Sequence, residues 1–287
     1  MDRLYHYCPT QSFSAIVSTR SIWLSSLTLA NDSMEGKLVK NALIRLAERD
    51  GLNNHGLQRL QEVATNSEIV FDGLGFCLSE EGDLLSQWRG YADDGKGISI
   101  GFSRRYLENL TTSMLEEPKP GFTLQKVRYS PEEHETQVEP TYRQLRKLID
   151  DGTSKNPVLK FLLNPATEEE IVALTRKMQD EHESLFYTLW GLFEKLYALK
   201  TSAFREEQEW RLISFLVSGL SDECLFHERR NIVVPYRKFD LPLDRSQPIV
   251  EVILGPKNQT PANVIARMLK HAGFGEVIVR RSVASYR

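Results

Sequence analysis

The hydrophobic pattern changes from strand-like to helix-like and back again along the chain, and this change limits the folds open to it. Short runs with strand character lie before residue 131 and after residue 200, whereas nearly everything from Pro131 to Lys200 has helical period. The pattern therefore predicts an α+β fold and not alternating βαβ units. We expect a single domain over residues 1–287, with residues 131–200 as a helical insertion or subdomain.

Individual elements follow from apolar spacing and from capping residues. Strands are predicted at Leu4–Tyr7, Ile22–Leu24, Leu74–Leu78, Gly97–Gly101, Arg211–Val217, Ile232–Tyr236, Ile249–Leu254 and Glu276–Val279. Helices are predicted after caps at Ser12 and at Asn31–Ser33, from about Leu57 to Ala64, and near Pro261–His271. Within the insertion, Thr167–Glu170 has the pattern of a capping box, and Gly152–Pro157 is expected to be a turn.

The charges are nearly balanced but unevenly distributed. The formal net charge is −3, which gives no overall signature of a nucleic-acid-binding protein. Residues 132–194 carry 13 acidic and 7 basic side chains, and residues 225–287 carry 11 basic and 5 acidic ones. Two solvated faces of opposite sign explain this pattern, and a basic C-terminal segment near an anionic ligand is the alternative.

Several classes of protein are disfavoured by what the sequence lacks. Three cysteines without C-x-x-C spacing and six scattered histidines argue against a metal site and against a disulfide framework. The sequence has no P-loop, dinucleotide-binding, zincin or serine-hydrolase motif. No signal-peptide core or membrane-length apolar run is present, so we expect a cytoplasmic protein without membrane contact and with reduced thiols.

Two polar and aromatic clusters are candidates for binding. In the first strand, alternation places His6 on one face and Tyr5 and Tyr7 on the other, so that His6 is either a structural residue or a ligand group. In Gln87–Tyr91, Arg89 could clamp a phosphate while Trp88 or Tyr91 stacks on a ring. The alternative is a helix end whose aromatic side chains fill the core.

A third cluster combines two carboxylates with an arginine. Glu207, Glu209 and Arg211 share one face if this run is extended, and Phe204 and Trp210 flank them. The pattern indicates a shaped polar pocket, although a plain cross-strand ion pair also explains it.

These motifs together resemble a bacterial family described as a domain of unknown function. The matching motifs are the Leu-Tyr-His-Tyr strand at residues 4–7, Asn31-Asp32-x-x-Glu35, Phe76–Glu80, Gln87–Gly95, Phe204–Arg211, Ile249–Pro256 and Ser282–Arg287. The resemblance covers almost the whole chain outside its acidic helical middle. It implies no activity.

The order of elements also resembles the ADP-ribosyltransferase fold, especially its toxin-type bacterial members. That fold has a split, mostly antiparallel β-sheet, begins with a strand that holds a histidine, and has a catalytic glutamate on a late strand. The resemblance implies that NAD is the substrate. It implies further that His6 bonds a ribose hydroxyl of NAD and that Tyr91 or Trp88 stacks on nicotinamide.

The same resemblance assigns the charged residues. Glu209 or Glu207 would bond the nicotinamide ribose and stabilise the positive charge that develops on the sugar as nicotinamide leaves. Arg89 or Arg211 would pair with the pyrophosphate. Trp210-Arg211 after the glutamate departs from the usual pattern of that fold.

The resemblance thus predicts an NAD-dependent ADP-ribosyltransferase-like protein that needs no metal. It would act as a toxin, a phage-defence effector or a modifier of a macromolecular acceptor, either nucleic acid or protein. The alternative is a non-catalytic module that senses a nucleotide or binds a protein partner. A phosphodiester-cleaving enzyme is disfavoured because no acidic cluster suits a metal.

Overall fold

The computed structural model describes residues 2–29, 36–111, 121–150, 188, 192, 195–217, 224–229, 231–243 and 246–286, with backbone alone for residues 66–71 and 217. The chain divides into two compact units. Unit 1 comprises Met1–Asn31, Asp72–Val127 and Thr201–Arg287, and unit 2 comprises Asp32–Phe71 and Arg128–Lys200. Unit 2 therefore takes in an earlier stretch of the chain as well as the segment that was predicted to be helical.

Unit 1 is built on an open, mostly antiparallel β-sheet. Its strands are β1 (Arg3–Cys8), β2 (Ser21–Ser26), β3 (Phe71–Ser79), β4 (Ile98–Ser103), β5 (Thr123–Lys126), β6 (Glu209–Val217), β7 (Leu225–Arg229), β8 (Ile232–Asp240), β9 (Ile249–Leu254) and β10 (Ile278–Arg281). The order is β10-β9-β4-β1-β3-β2-β8-β7, and β6 pairs with β3 and β5. β9 and β10 are parallel, whereas β1–β4, β2–β8, β4–β9 and β7–β8 are antiparallel. This architecture confirms the predicted α+β class and the mostly antiparallel sheet.

The helices differ in role between the two units. Those with bounds among the described residues are α1 (Thr10–Thr19), α2 (Leu38–Arg49), α3 (Asn54–Val70), α4 (Leu85–Tyr91), α5 (Arg104–Leu110), α6 (Pro131–Asp150) and α7 (Ala262–His271). In unit 1, apolar side chains of α1, α5 and α7 join those of β1, β3, β4 and β9 in the main hydrophobic core. α4 packs beside β1 with a second, smaller cluster that contains Tyr7, Trp88, Ala92 and Ile253.

Unit 2 holds α2, α3 and α6, which contact one another. Ion pairs join Arg45 to Glu135 and Arg49 to Glu139, so the paired positions advance in the same direction along α2 and α6. The described helices confirm the helical character predicted from Pro131 to Asp150. The predicted capping box at Thr167–Glu170, the turn at Gly152–Pro157 and the cap at Asn31–Ser33 lie outside the described residues.

One predicted helix cap is wrong, and two strands were missed. The cap predicted at Ser12 is wrong because α1 begins at Thr10 after Pro9, whose fixed φ already suits the turn out of β1. Strands β5 and β7 were missed because one is only four residues long and the other mixes apolar and charged residues on both faces.

None of the described helices combines the length and apolar character that a membrane crossing requires.

Gly97 offers a test of the packing between β1, α4 and β4. A Cβ atom at this position would overlap the carbonyl oxygen of Cys8 and lie 2.8 Å from that of Ala92. We expect Gly97→Ala to lower the free energy of unfolding by about 2–4 kcal/mol, measured by urea denaturation. Gly90→Ala is the control, because a Cβ there meets open space and alanine favours a helix. Equal stability of the two variants would contradict this packing.

Candidate functional site

His6 lies where β1 meets β3, on the core-facing side of the sheet. Its ring stacks on Phe76 at 4.0 Å between centroids, and its Nδ1 atom lies 2.8 Å from the carbonyl oxygen of Cys77. Burial lowers the pKa of His6 to about 4, although the bond to Cys77 acts in the opposite direction. His6 is therefore a neutral imidazole at physiological pH.

The bond from His6 to Cys77 strengthens a weakly paired part of the sheet. β1 pairs with β4 over six positions, but with β3 at the single described position Tyr5↔Ser79. The imidazole therefore supplies a side-chain link across a junction that has few main-chain bonds.

Trp88 is packed in the interior on the other face of β1. Its side chain is 0% exposed, its ring meets that of Tyr7 edge to face at 4.9 Å, and its Nε1 atom donates a 2.7 Å hydrogen bond to Asp83. The sequence left open whether the aromatic side chains of this segment fill the core or bind a ligand. The structure places Trp88 in the core, where its ring presents no surface on which nicotinamide could stack.

Tyr91, one turn further along α4, is half-buried and meets Glu207. Its hydroxyl group donates a 2.9 Å hydrogen bond to Glu207 Oε1. The main chain of Glu207 is held in turn by Ser79 at the end of β3, whose hydroxyl donates to the Glu207 carbonyl oxygen at 2.7 Å. The pair joins residues from two segments that are distant in the sequence.

Glu207 does not share a strand face with Glu209 and Arg211. It ends a short 3-10 turn (Ser202–Glu207), and Gln208 follows in the left-handed region with φ 45° before β6 begins at Glu209. A shared face required an extended run, and the chain is extended only from Glu209 onwards, so Glu207 is not on the face of Glu209 and Arg211. The left-handed residue turns the chain, so that Glu207 points to Tyr91 while Glu209 enters the sheet.

Glu209 and Arg211 form a buried ion pair. The Nε and Nη2 atoms of Arg211 lie 2.7 and 3.0 Å from the two carboxylate oxygens of Glu209, and the residues are 2% and 5% exposed. This two-point contact holds both side chains in one geometry. The sequence left open a cross-strand ion pair; the pair that the structure shows joins two residues of the same strand, β6.

The structure thus brings together some of the predicted residues and separates others. Tyr91 meets Glu207, and Glu209 meets Arg211. By strand alternation His6 lies on the face of β1 opposite to Tyr7 and Trp88. Arg89 is exposed on α4, with its guanidinium carbon 5.9 Å from the centre of the Tyr286 ring. The NAD-binding and catalytic roles of these residues stay predictions.

Two further carboxylates organise this face of the sheet and were missed in the sequence. Asp83 accepts hydrogen bonds from Trp88, from the Ser282 hydroxyl at 2.5 Å and from the Val283 amide at 2.8 Å. Only the Ser282–Arg287 motif hinted at such a contact. Asp83 therefore fastens the segment after β10 to the start of α4.

The second carboxylate, Glu251, lies in β9 and is 5% exposed in its side chain. It accepts hydrogen bonds from Tyr5 at 2.7 Å, Arg3 at 3.0 Å and Arg280 at 2.8 Å. Burial acts to raise the pKa of Glu251, but these donors outweigh it and hold the pKa below its usual value. The cluster contains no group of three or more His, Cys, Asp or Glu side chains suited to a metal, and neither does any other part of the chain that the structure describes.

Comparison with known families gives a match over the part of the chain that runs from α4 to the start of β6. Residues 87–212 are similar to a family described as "Protein of unknown function (DUF2971)". No curated protein and no solved structure matches the chain. This supports the predicted resemblance to a family of unknown function.

The DUF2971-like segment begins at Gln87 and ends at Leu212. It therefore includes α4 with Tyr91, the turn with Glu207 and the Glu209–Arg211 pair. It covers less than half of the chain, and β1 with His6 lies outside it.

The environment of His6 predicts a specific pH dependence. The pKa of His6 in the folded protein is about 4 and that of an unfolded histidine is 6.5, so the unfolded state binds more protons between these values. Stability should be complete above pH 6.5 and fall as the pH drops towards 4. We expect a loss of about 2 kcal/mol in the free energy of unfolding between pH 7 and 5. Urea denaturation of His6→Gln in parallel is the control, since this variant should lack that part of the loss. Parallel curves for the two proteins would contradict the assignment.

The two glutamates are expected to differ in their contribution to stability. Glu209→Gln removes the charge that faces buried Arg211 and should lower the free energy of unfolding by about 2–4 kcal/mol. Glu207→Gln keeps a hydrogen-bonding group opposite Tyr91 and should cost about 1 kcal/mol or less. Denaturant titration at pH 7 measures both. A larger loss of unfolding free energy for Glu207→Gln than for Glu209→Gln would contradict the structural role given to Glu209.

Proposed function

We propose that the chain is an NAD-dependent ADP-ribosyltransferase-like enzyme in which Glu207 is the catalytic carboxylate and Tyr91 positions it. The observation that carries the proposal is the 2.9 Å hydrogen bond from Tyr91 to Glu207 on a half-buried face of the sheet. Glu207 is preferred over Glu209 because Glu209 is buried against Arg211. The choice between the two carboxylates rests on the burial of Glu209 and on the pairing of both its oxygens with Arg211.

The reaction would break the bond between nicotinamide and the ribose of NAD. The bonding electrons leave with nicotinamide, and positive charge develops on the sugar. A carboxylate held in place beforehand stabilises that charge without reorganisation. A nucleophile of the acceptor then bonds the anomeric carbon and loses its proton. The acceptor would be a macromolecule, nucleic acid or protein. By modifying it, the protein would act as a toxin, a phage-defence effector or a modifier.

The surroundings of Glu207 support this role. Ser79 holds its main chain, and the link from His6 to Cys77 secures the β3 strand that ends at Ser79. His6 thus acts on the site through β3 as a positioning residue, in place of the ribose contact predicted from the sequence. Arg89, which is exposed on the same helix as Tyr91, is the arginine proposed for the pyrophosphate, because Arg211 faces Glu209.

A non-catalytic module that senses a nucleotide or binds a protein is the second candidate. The specific observation in its favour is the placement of His6 and Trp88. They lie on opposite faces of β1, and Trp88 is completely buried. Residues expected to surround one dinucleotide are therefore divided between two sides of the sheet.

Turnover of NAD distinguishes these functions. Purified protein is incubated with bacterial lysate and NAD labelled in its adenylate half, and both nicotinamide release and label transfer are measured. We expect Glu207→Gln to reduce turnover about 100-fold or more and Tyr91→Phe about tenfold, each with its melting temperature close to that of the wild type. Glu206→Gln is the matched control, because Glu206 is a neighbouring exposed carboxylate that bonds Ser86.

Each alternative result has a definite meaning. NAD binding by calorimetry without release of nicotinamide would favour the sensing module. Full turnover in Glu207→Gln would overturn its catalytic role. Absence of both NAD binding and turnover would overturn both NAD proposals.

A further inference from the structure

Three aromatic rings meet on the surface of unit 1, at the edge of the sheet that ends with β7. Trp23 of β2 stacks on Tyr236 of β8 with 4.3 Å between ring centroids and 28° between ring planes. His227 of β7 lies 5.6 Å from the Trp23 ring and 5.3 Å from the Tyr236 ring. We call these three residues the aromatic strip. It does not include any residue used in the proposed reaction.

The aromatic strip is held in place and open on its outer side. His227 Nε2 is 3.2 Å from the hydroxyl oxygen of Ser25, a bond that orients the imidazole ring beside Trp23. Tyr236 is 8% exposed because Trp23 covers it, whereas Trp23 itself is 38% exposed. A large ring that is already stacked on one side and reaches solvent offers a ready surface for another flat ring.

Basic side chains stand at both ends of the aromatic strip. Lys238 pairs directly with Trp23 across β2 and β8, and alternation places it on the same face as Tyr236. Arg229 is exposed at the end of β7 and shares a face with His227. Its partner in β8 is Ile232, six positions before Lys238, and this length of extended strand separates the two cations by about 20 Å.

The strands β7 and β8 carry two acidic side chains, Glu228 and Asp240. Glu228 of β7 alternates to the opposite face of the hairpin. Asp240, 3.6 Å from Lys238 Nζ and largely exposed, is the acid that faces one of these cations. The strip therefore combines stacking rings with positive charge, in a region where the sequence has more basic than acidic residues.

We propose that the aromatic strip binds single-stranded nucleic acid, with an unpaired base stacked on the outer face of Trp23 and with Lys238 and Arg229 beside the flanking phosphates. Exposed aromatic rings on a β-sheet stack on bases without regard to sequence, and nearby cations follow the backbone. Double-stranded partners fit less well because their bases are already stacked on each other. The proposal holds whether or not the chain turns over NAD.

Fluorescence anisotropy with a labelled oligonucleotide of about twelve nucleotides tests the proposal. Oligo-dT and oligo-U are titrated with the full chain at several salt concentrations, and a duplex of the same length serves for comparison. We expect affinity for the single strands that falls as salt rises and weaker binding of the duplex. Trp23→Ala should weaken binding about tenfold or more, and Trp23→Phe should keep most of it because a phenyl ring still stacks.

Matched variants separate stacking from a general loss of structure. Phe226→Ala removes an aromatic side chain that is 64% exposed and lies in β7 on the face opposite to His227. This variant should leave the affinity unchanged. Lys238→Ala should weaken binding several-fold. It should also reduce the slope of log affinity against log salt concentration by about 1, because one phosphate contact is lost. The melting temperature is recorded for every variant. If Trp23→Ala does not fold, the separate variants Lys238→Ala and Trp23→Phe are used to test the proposal.

Three results would overturn the proposal. The first is that no single-strand binding is detected at low salt with about 100 μM protein, a concentration that matches the weakest dissociation constants typical of non-specific nucleic-acid binding. The second is a folded Trp23→Ala or Lys238→Ala variant that binds the single strands as tightly as the wild type does. A loss of affinity in Phe226→Ala as large as that in Trp23→Ala would count in the same way. The third is a dimer in analytical ultracentrifugation that Trp23→Ala dissociates, because the strip would then be an interface between protein chains.

Discussion

Alternation along β1 is the constraint on which the layout of unit 1 depends. Successive side chains of a strand point to opposite faces, so Leu4 and Cys8 enter the main core with His6, and Tyr5 and Tyr7 face the other way. The main core takes the apolar sides of α1, α5 and α7. The opposite face receives α4 and the polar groups that surround it. A shift of β1 by one residue would exchange these two sets, so the register of β1 against β4 is strongly specified.

The different surroundings of Glu207 and Glu209 follow from the backbone conformation of the residue between them. Gln208 adopts a left-handed conformation that costs free energy for a residue with a Cβ atom, and its carbonyl oxygen accepts a hydrogen bond from the Glu80 amide. The turn sends Glu207 towards Tyr91 and leaves Glu209 within the sheet beside Arg211. Glu207 therefore bonds Tyr91 of α4, whereas Glu209 pairs with Arg211 inside the sheet.

A second set of acidic residues attaches the last described segment of the chain to α4. Asp83, just before α4, binds Ser282 and Val283, and Asp94, just after α4, accepts a 2.6 Å hydrogen bond from Tyr286. Glu251 of β9 binds Arg280 of the same segment. Lys257 lies 2.8 Å from Asp94 and 3.9 Å from the centre of the Tyr286 ring. These contacts place the end of the chain beside Trp88 and Arg89. The orientation of α4, and with it that of Tyr91, therefore depends on residues about 200 positions away.

The sequence by itself determined the α+β class, most of the strands and helices, and the two faces of β1, because these depend on periodicity over a few neighbouring residues. It also named Tyr91 and Glu207 as candidates for a site, although it could not pair them. Tertiary structure alone decided that Tyr91 meets Glu207, that Glu209 is buried with Arg211, and that Trp23, His227 and Tyr236 form one surface. The reason is physical: the Tyr91–Glu207 and Ser25–His227 contacts join residues 116 and 202 positions apart, and their formation depends on strand order and on a single left-handed residue. Local sequence patterns do not encode either of these.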